Sequence, residues 1–337
     1  MGTAEGRAGP MSFEAPSPVN LGLLTEIARR YFIENETQDV IGQALGLSRM
    51  KVNRLLREAQ DAGLVEIRVR FHSSQTRGIE REFCERFGLK HLLVAPDAGT
   101  PALQREAVAR LVSHFFESNL RESLVVAVGM GRNVAAVANV PTDRTFRSIQ
   151  FVAACGGATE ANEAGNADHI ARALARRFGG TASTLYAPAF VPDAALREAL
   201  MQHETVRRGL ALARSADYAL MGIGDLGPDS HMARMGWFSP GEIKAAQSSG
   251  VVGDLMGYDF FASSGEARNE GLGGRVIGLS REDLRRIGNT VAIAAEPSKA
   301  MSILGALRTG SIDILATTIS NCTAILDLVR READPAP

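Results

Sequence analysis

The segment Ser48-Arg49-Met50-Lys51-Val52-Asn53-Arg54-Leu55-Leu56-Arg57 carries four cations, and no acid interrupts them before Glu58. With Ser48 as its cap, a helix here would present Arg49, Met50, Asn53 and Arg54 outward from its first turns. These types suit the reading of DNA bases. A guanidinium bonds guanine O6 and N7 together, and a carboxamide does the same for adenine N6 and N7. Lys51 and Arg57 suit phosphate oxygens, which fix register and make affinity depend on salt. With Gln38 of the preceding helix, the expected DNA-facing set is Gln38, Ser48, Arg49, Met50, Lys51, Asn53, Arg54 and Arg57. The competing reading is a solvated cationic helix face.

Glycines suggest a second chemistry. Val128-Gly129-Met130-Gly131-Arg132-Asn133 reads as a strand, a glycine turn and a helix start. Backbone N–H groups exposed at such a turn, with the helix dipole, can hold an anion, and glycine lets a ligand approach the backbone. Gly156-Gly157-Ala158 and Gly222-Ile223-Gly224 each follow another apolar run. Three turns after strands would converge at the carboxyl edge of a sheet, where open α/β folds bind ligands. A tight strand-to-helix turn would explain any one of them alone. No G-x-G-x-x-G opens a βαβ unit and no GxxxxGK[ST] occurs, so no nucleotide cofactor is expected. Six scattered histidines without HxxxH or HExxH, and three cysteines without CxxC, give no metal site and no disulfide framework.

The elements that must position these groups follow from periodicity. Leu21, Leu24, Ile27, Ala28 and Tyr31 fall at helical spacing. Thr37 caps a short helix over 38–45 that Gly46 ends, and the Ser48 helix runs to Gly63. Val65-Glu66-Ile67-Arg68-Val69-Arg70 alternates apolar with charged, as a half-exposed strand does. The outline is a winged helix-turn-helix over 19–70, behind a disordered tail over 1–18. A polar linker over 71–77 leads to an effector and oligomerisation domain over 78–331. Its strands are expected at 91–95, 124–128, 149–154, 182–186, 218–222, 276–279, 291–295 and 312–316. Helices are expected at 78–87, 102–119, 166–178, 193–213, 298–308 and 320–330. Apolar strands separated by helices imply a parallel, doubly wound α/β sheet. The balance of 37 Lys+Arg against 38 Asp+Glu gives a net charge of −1, so any nucleic-acid site must be a local basic surface. No stretch of ~18 apolar residues predicts a membrane span, and no apolar leader opens the chain, so the expected compartment is cytoplasmic.

Gln38-x-x-Ile41, Leu45-Gly46-Leu47-Ser48-Arg49, Val52-x-Arg54-Leu55-Leu56 and Ala59-x-x-x-Gly63-Leu64-Val65-Glu66-Ile67 resemble the helix-turn-helix of the SorC/DeoR-type sugar-responsive regulators. The resemblance continues through Gly129-Met130-Gly131-Arg132, Cys155-Gly156-Gly157, Ala187-Pro188, Gly222-Ile223-Gly224, Gly250-Val251-Val252-Gly253-Asp254, and Lys299 followed by Ala306-Leu307-Arg308. It implies a regulator, expected to be a repressor, that binds double-stranded operator DNA as a homodimer or homotetramer. The helix over 78–87 is the expected oligomerisation element. The effector domain would be similar to a sugar-phosphate isomerase fold and would bind a sugar, sugar-phosphate or polyol. The effector site implied is Gly129, Met130, Gly131, Arg132, Asn133, Gly156, Gly157, Ala158, Asp254 and Lys299. Asp254 would accept hydrogen bonds from hydroxyls, or else serve as a turn residue. Lys299 would meet a phosphate or carboxylate, or else lie solvated.

This chain departs from the family pattern. Ala295 and Glu296 stand where paired glycines are usual, Thr317-Thr318 where Thr-Asp is, Met130 for Trp and Asn133 for Thr. A carboxylate beside a phosphate repels it, so the changes favour a more neutral ligand. His231 and Trp237 lie in a segment that could lid the pocket. The alternative function is an isomerase-like enzyme of sugar metabolism with an accessory DNA-binding unit. Asp254 is its one candidate base, without an evident partner, and no catalytic residue is assigned.

Overall fold

The computed structural model describes residues 18–65, 76–158, 165–227, 236–269 and 273–333. The chain divides into two units, Met1–His72 and Ser73–Pro337. In the first, helices α1 (Pro18–Phe32), α2 (Gln38–Leu45) and α3 (Arg49–Asp61) enclose one apolar cluster. Leu24 and Ile27 of α1, Ile41 of α2, and Val52, Leu55, Leu56 and Ala59 of α3 are buried together. Their three-and-four spacing is what turns one stripe of each helix inward. Thr37 Oγ1 accepts the Val40 amide, an N–H that the first helical turn leaves without a partner, and Ser48 Oγ accepts the Lys51 amide, which also donates to the Ser48 carbonyl. Between α2 and α3 the chain folds back so tightly that a Cβ on Gly42 would lie 2.6 Å from the Leu47 carbonyl oxygen. Of the expected wing strand, residues 66–70 lie outside the described residues, as does the tail over 1–17.

The second unit is a mainly parallel sheet. Its elements in chain order are α4 (Arg77–Phe87), β1 (His91–Ala95), α5 (Pro101–Asn119), β2 (Val125–Val128), α6 (Arg132–Asn139), β3 (Gln150–Ala153), α7 (Ala167–Phe178) and β4 (Thr181–Ser183). There follow α8 (Ala194–Gln202), α9 (Glu204–Arg214), β5 (Tyr218–Gly224), α10 (Pro240–Ser248), β6 (Val251–Leu255), β7 (Asp259–Ala262), α11 (Arg281–Arg286), β8 (Thr290–Ile293), α12 (Ala300–Arg308), β9 (Ile314–Thr318) and α13 (Ile319–Ala333). The parallel strands run in the order β1-β9-β8-β5-β2-β3-β4, while β6 and β7 pair antiparallel beyond the end of β5. Along β2, Val126 and Val128 join the core formed with α5, α6 and α7, whereas Ala127 joins the core on the opposite face. Burial on both faces explains why Val125-Val126-Ala127-Val128 is continuously apolar.

Three expectations are corrected here. The run 276–279 is no strand: Val276 and Gly278 make only isolated bridges, to Phe190 and Cys155. An apolar run reads the same whether its burial comes from a ladder or from crossing other segments. The helix expected over 193–213 is two, because His203 takes an extended conformation (φ −67°, ψ 132°) between α8 and α9. Gly222-Ile223-Gly224 is no turn but the end of β5, where the glycines make room. A Cβ on Gly222 would press on the Met130 carbonyl, and one on Gly224 would overlap the Asp254 carboxylate at 2.0 Å.

Candidate functional site

On α3 the charged stripe and the core stripe are separate. Met50 is 84% exposed, and Arg49, Lys51, Asn53, Arg54 and Arg57 are exposed with it, while Gln38 is half-buried. Arg49 approaches Asp39 at 3.8 Å and Arg54 approaches Glu58 at 3.4 Å, both on the surface. Exposed pairs of this kind contribute about 0–1 kcal/mol, so a phosphate or base edge can displace the acid at little cost.

The expected effector residues lie elsewhere and behave differently. Gly131, at φ 112°, is the N-cap of α6, so the glycine loop leads into the helix as the sequence suggests. Its glycine N–H groups are nevertheless engaged. The Gly129 amide donates to the Leu220 carbonyl at 2.8 Å, and those of Gly131, Gly156 and Gly157 donate to Gly165, Ile277 and Ala187 at 2.9 Å. These four amides are therefore not open to an anion. Gly156 packs against Ala187-Pro188, where a Cβ would come within 2.5 Å of backbone atoms. Ala158 accepts a hydrogen bond from Asn166 Nδ2 at 3.0 Å, which ties the second glycine loop to the start of α7. Met130 is buried, and a Cβ on Gly257 would lie 3.5 Å from its sulfur and 3.6 Å from Trp237.

The charged members meet at the ends of β5 and β8. Lys299 closes a short 3-10 turn (Pro297–Lys299) before α12, and its Nζ donates to the Ile223 carbonyl at 2.7 Å and pairs with Glu296 at 3.2 Å. Glu296 Oε2 also accepts from Asn133 Nδ2 at 2.8 Å, and Oε1 faces Arg105 at 3.3 Å. Burial raises the Glu296 carboxyl, but Lys299 and the Asn133 hydrogen bond outweigh it and hold the group down at about 2. Sequence reasoning noted Glu296 only as a departure and missed Arg105 and Asn321. Asn321 Nδ2 donates to the Glu296 carbonyl at 3.3 Å and to Thr317 Oγ1 at 3.0 Å.

Asp254 lies on β6, not in a loop. It is 2% exposed, Oδ1 accepts the Gly257 amide at 2.6 Å, and it rests on Gly224. Burial pushes its carboxyl up to about 7; the Gly257 hydrogen bond and Lys299 oppose the rise without cancelling it. Lys299 and Asp254 thus share a corner with Asn133 and Glu296, each already held by protein partners. Trp237 is buried and stacked on Phe190 (6.2 Å, 8°), so it serves as core rather than as a lid, and His231 lies outside the described residues. A cleft of about 340 Å³ runs between α5 and α6, lined by Arg105, Glu106, Arg110, Arg132 and Gly165 among others. Among the candidate effector residues only Arg132 lines it. Burial pushes the Cys155 and Cys322 thiols up to about 12, so neither offers a ready thiolate. Among the described residues no cluster of His, Cys, Asp and Glu could hold a metal ion, and no helix is long and apolar enough to cross a membrane.

Comparison with known proteins places this geometry among relatives. Residues 72–327 match the family model described as "Putative sugar-binding domain". An erythritol catabolism regulatory protein of Brucella abortus is 27% identical over 300 residues, covering 88% of this chain and 93% of that protein. The transcriptional regulator LsrR of Klebsiella pneumoniae is 26% identical over 310 residues, covering 91% and 93%. The solved "Putative Sugar-Binding Domain of Transcriptional Repressor" from Vibrio fischeri is 48% identical, covers 75% of this chain and 99% of that one, and has a TM-score of 0.70. The full-length sorbitol operon regulator SorC from Klebsiella pneumoniae, 23% identical with a TM-score of 0.70, shares the fold over 91% of this chain and 99% of its own.

Proposed function

The chain belongs to the sugar-binding-domain family of residues 72–327, and from that membership we propose that it is a transcriptional regulator, a repressor, of a carbohydrate or polyol operon. The observation that carries the DNA-binding half is the exposed cationic face of α3, capped by Ser48 and opposed by a buried apolar stripe. In this reading 19–70 form a winged helix-turn-helix whose α3 enters the major groove. Arg49, Asn53 and Arg54 read base edges, and Lys51 and Arg57 hold phosphates. One such module covers a short footprint, so the working form is a homodimer or homotetramer on paired half-sites. It acts in the cytoplasm, where operator and effector are found together.

The effector half rests on the family match and on the polar corner at the ends of β5 and β8. A sugar, sugar-phosphate or polyol bound by the loop over 129–133, the loop over 156–158, Asp254 and Lys299 would favour one assembly state over another. A coupling of about 1–3 kcal/mol changes operator affinity about 5- to 150-fold. The enzyme alternative draws no support from the relatives named above, which are regulators. The deciding experiment selects binding sites for the purified full chain from genomic fragments and measures affinity by gel shift. A specific site that outcompetes random DNA at physiological salt is the expected result. No preference over random DNA would overturn the proposal.

A further inference from the structure

The polar corner has an unusual balance of hydrogen-bonding groups. Its side-chain donors converge on one carboxylate. Lys299 Nζ serves the Ile223 carbonyl and Glu296, Asn133 Nδ2 serves Glu296, and Arg105 faces the other oxygen of the same carboxylate. Glu296 comes from the β8 end, Asn133 from α6 and Arg105 from α5, and the Glu296 side chain is only 14% exposed. Three donors thus close on one carboxylate, the arrangement that a bound carboxylate or phosphate oxygen would otherwise demand. The glycine amides of the two loops are bonded to carbonyls.

The corner's acceptors are less well matched. Asn133 Oδ1 is buried and has no hydrogen-bond partner among the described residues, and the same holds for Asn321 Oδ1. The amide orientations follow from the neighbours. Asn133 must turn its N–H toward an ionised carboxylate, which can only accept. Asn321 must turn its N–H toward the Glu296 carbonyl and toward Thr317 Oγ1, whose own hydrogen goes to the Ala294 carbonyl. Both residues are thereby left with an acceptor that lacks a donor, Asn133 at 5% exposure and Asn321 at 0%, and a ligand reaches these oxygens only when the corner opens. A buried acceptor without a donor is costly, and a ligand hydroxyl supplies one. A phosphate dianion supplies none.

Resting on the regulator reading above, we infer that Glu296 is a resident anion that occupies the cationic donors of this corner, and that the effector is therefore a neutral polyhydroxylated molecule rather than a phosphorylated one. The hydroxyl hydrogens of a polyol or unphosphorylated sugar match the two asparagine oxygens. A phosphate would have to expel the Glu296 carboxylate from Lys299 and Arg105, or else lie against it.

The test replaces the resident anion with an added one. Full-length wild-type protein, Glu296→Gln and Glu296→Gln/Lys299→Met are melted in inorganic phosphate and in chloride at matched ionic strength. Wild type should melt at the same temperature in both. Glu296→Gln should melt lower in chloride and recover as phosphate rises, because binding to the folded state adds stability by mass action. The double variant should lose that recovery. If Glu296→Gln does not fold in chloride, folding in phosphate supports the assignment and failure in both salts overturns it. Phosphate stabilisation of wild type that Lys299→Met removes, or a phosphate-blind Glu296→Gln, also overturns it. With erythritol and sorbitol against their monophosphates, wild type should show no member of the phosphorylated set binding more tightly than its neutral counterpart; the reverse order overturns the inference. Gel shifts on the same variants separate the two proposals. Protein that binds no DNA fails the regulator reading and leaves the phosphate result standing, whereas a phosphate-blind Glu296→Gln with intact DNA binding fails only the resident-anion assignment.

Discussion

The α3 face and the β5–β8 corner both concentrate charge, yet they hold it in opposite ways. On α3 the cations stand in water, and their acidic neighbours are exposed and 3.4–3.8 Å away. In the corner, Asp254 is buried, Lys299 and Glu296 are partly buried, all three are bonded, and the two carboxyls hold their protons far from ordinary values. Under the proposed assignments the difference follows from the partner each would take. A polyanion the length of DNA brings its own charge to an exposed surface, so the protein need only display cations on a stable helix. A small molecule must be enclosed, and enclosure removes water, so every charged group left there needs an internal partner before the ligand arrives.

The sharpest way to test this contrast is through Asp254. The unfolded chain releases that proton near 3.8, whereas the fold keeps it to about 7, so between those values the folded state holds more protons and rising pH favours unfolding. The loss should reach about 4 kcal/mol by pH 7 and then level off. Asp254→Asn, neutral throughout, should gain on wild type by that amount from about pH 4 to pH 7 in urea titrations. A pH-independent difference would show that burial is not what sets this group.

Glu296 should act in the reverse sense. Its folded value of about 2 lies below the ordinary 4.5, so its contribution of about 3 kcal/mol is complete above pH 4.5 and is lost as pH falls toward 2. Glu296→Gln should remove that acid-limb slope, and a slope that persists would assign it to other carboxylates.

On α3 the expected effects fall on binding and leave stability alone. Arg54→Ala should cost about 1–3 kcal/mol on a selected site, and relax preference at one base position, if the side chain reads a base. Its urea midpoint should stay within about 0.5 kcal/mol of wild type, as exposed substitutions do. Full site affinity in Arg49→Ala/Arg54→Ala would remove α3 from the recognition role. The smallest change is expected for Lys51→Ala, which should weaken specific and random DNA alike and lower the salt slope by about one. A loss confined to the specific site would make Lys51 a base reader instead.

How much of this was legible follows from how far apart the interacting residues lie. Thr37 and Ser48 bond amides three positions away, and the buried stripe of α3 repeats within one helix, so periodicity and capping rules suffice there. The parallel strands were legible as apolar runs, although antiparallel β6 and β7 were not: Gly253 and Asp254 interrupt the run of β6, and its partners are the end of β5 and β7. Trp237 was read as a lid residue or core and Lys299 as a ligand contact or solvated, and local pattern did not show their surroundings: one stacks in the core and the other turns inward to a strand carbonyl.

Glu296 meets Arg105 across 191 positions, Asn133 across 163, and Asn321 across 25. The sequence by itself determined the α3 face, its caps and the alternation that builds the sheet, because each depends on residues within a turn or two of one another. Only the tertiary structure decided that the glycine amides are already bonded, that Asp254 is buried, and that Glu296 gathers the corner's donors. Hydrogen-bond satisfaction is a property of what packs together, and packing joins residues that no local pattern relates.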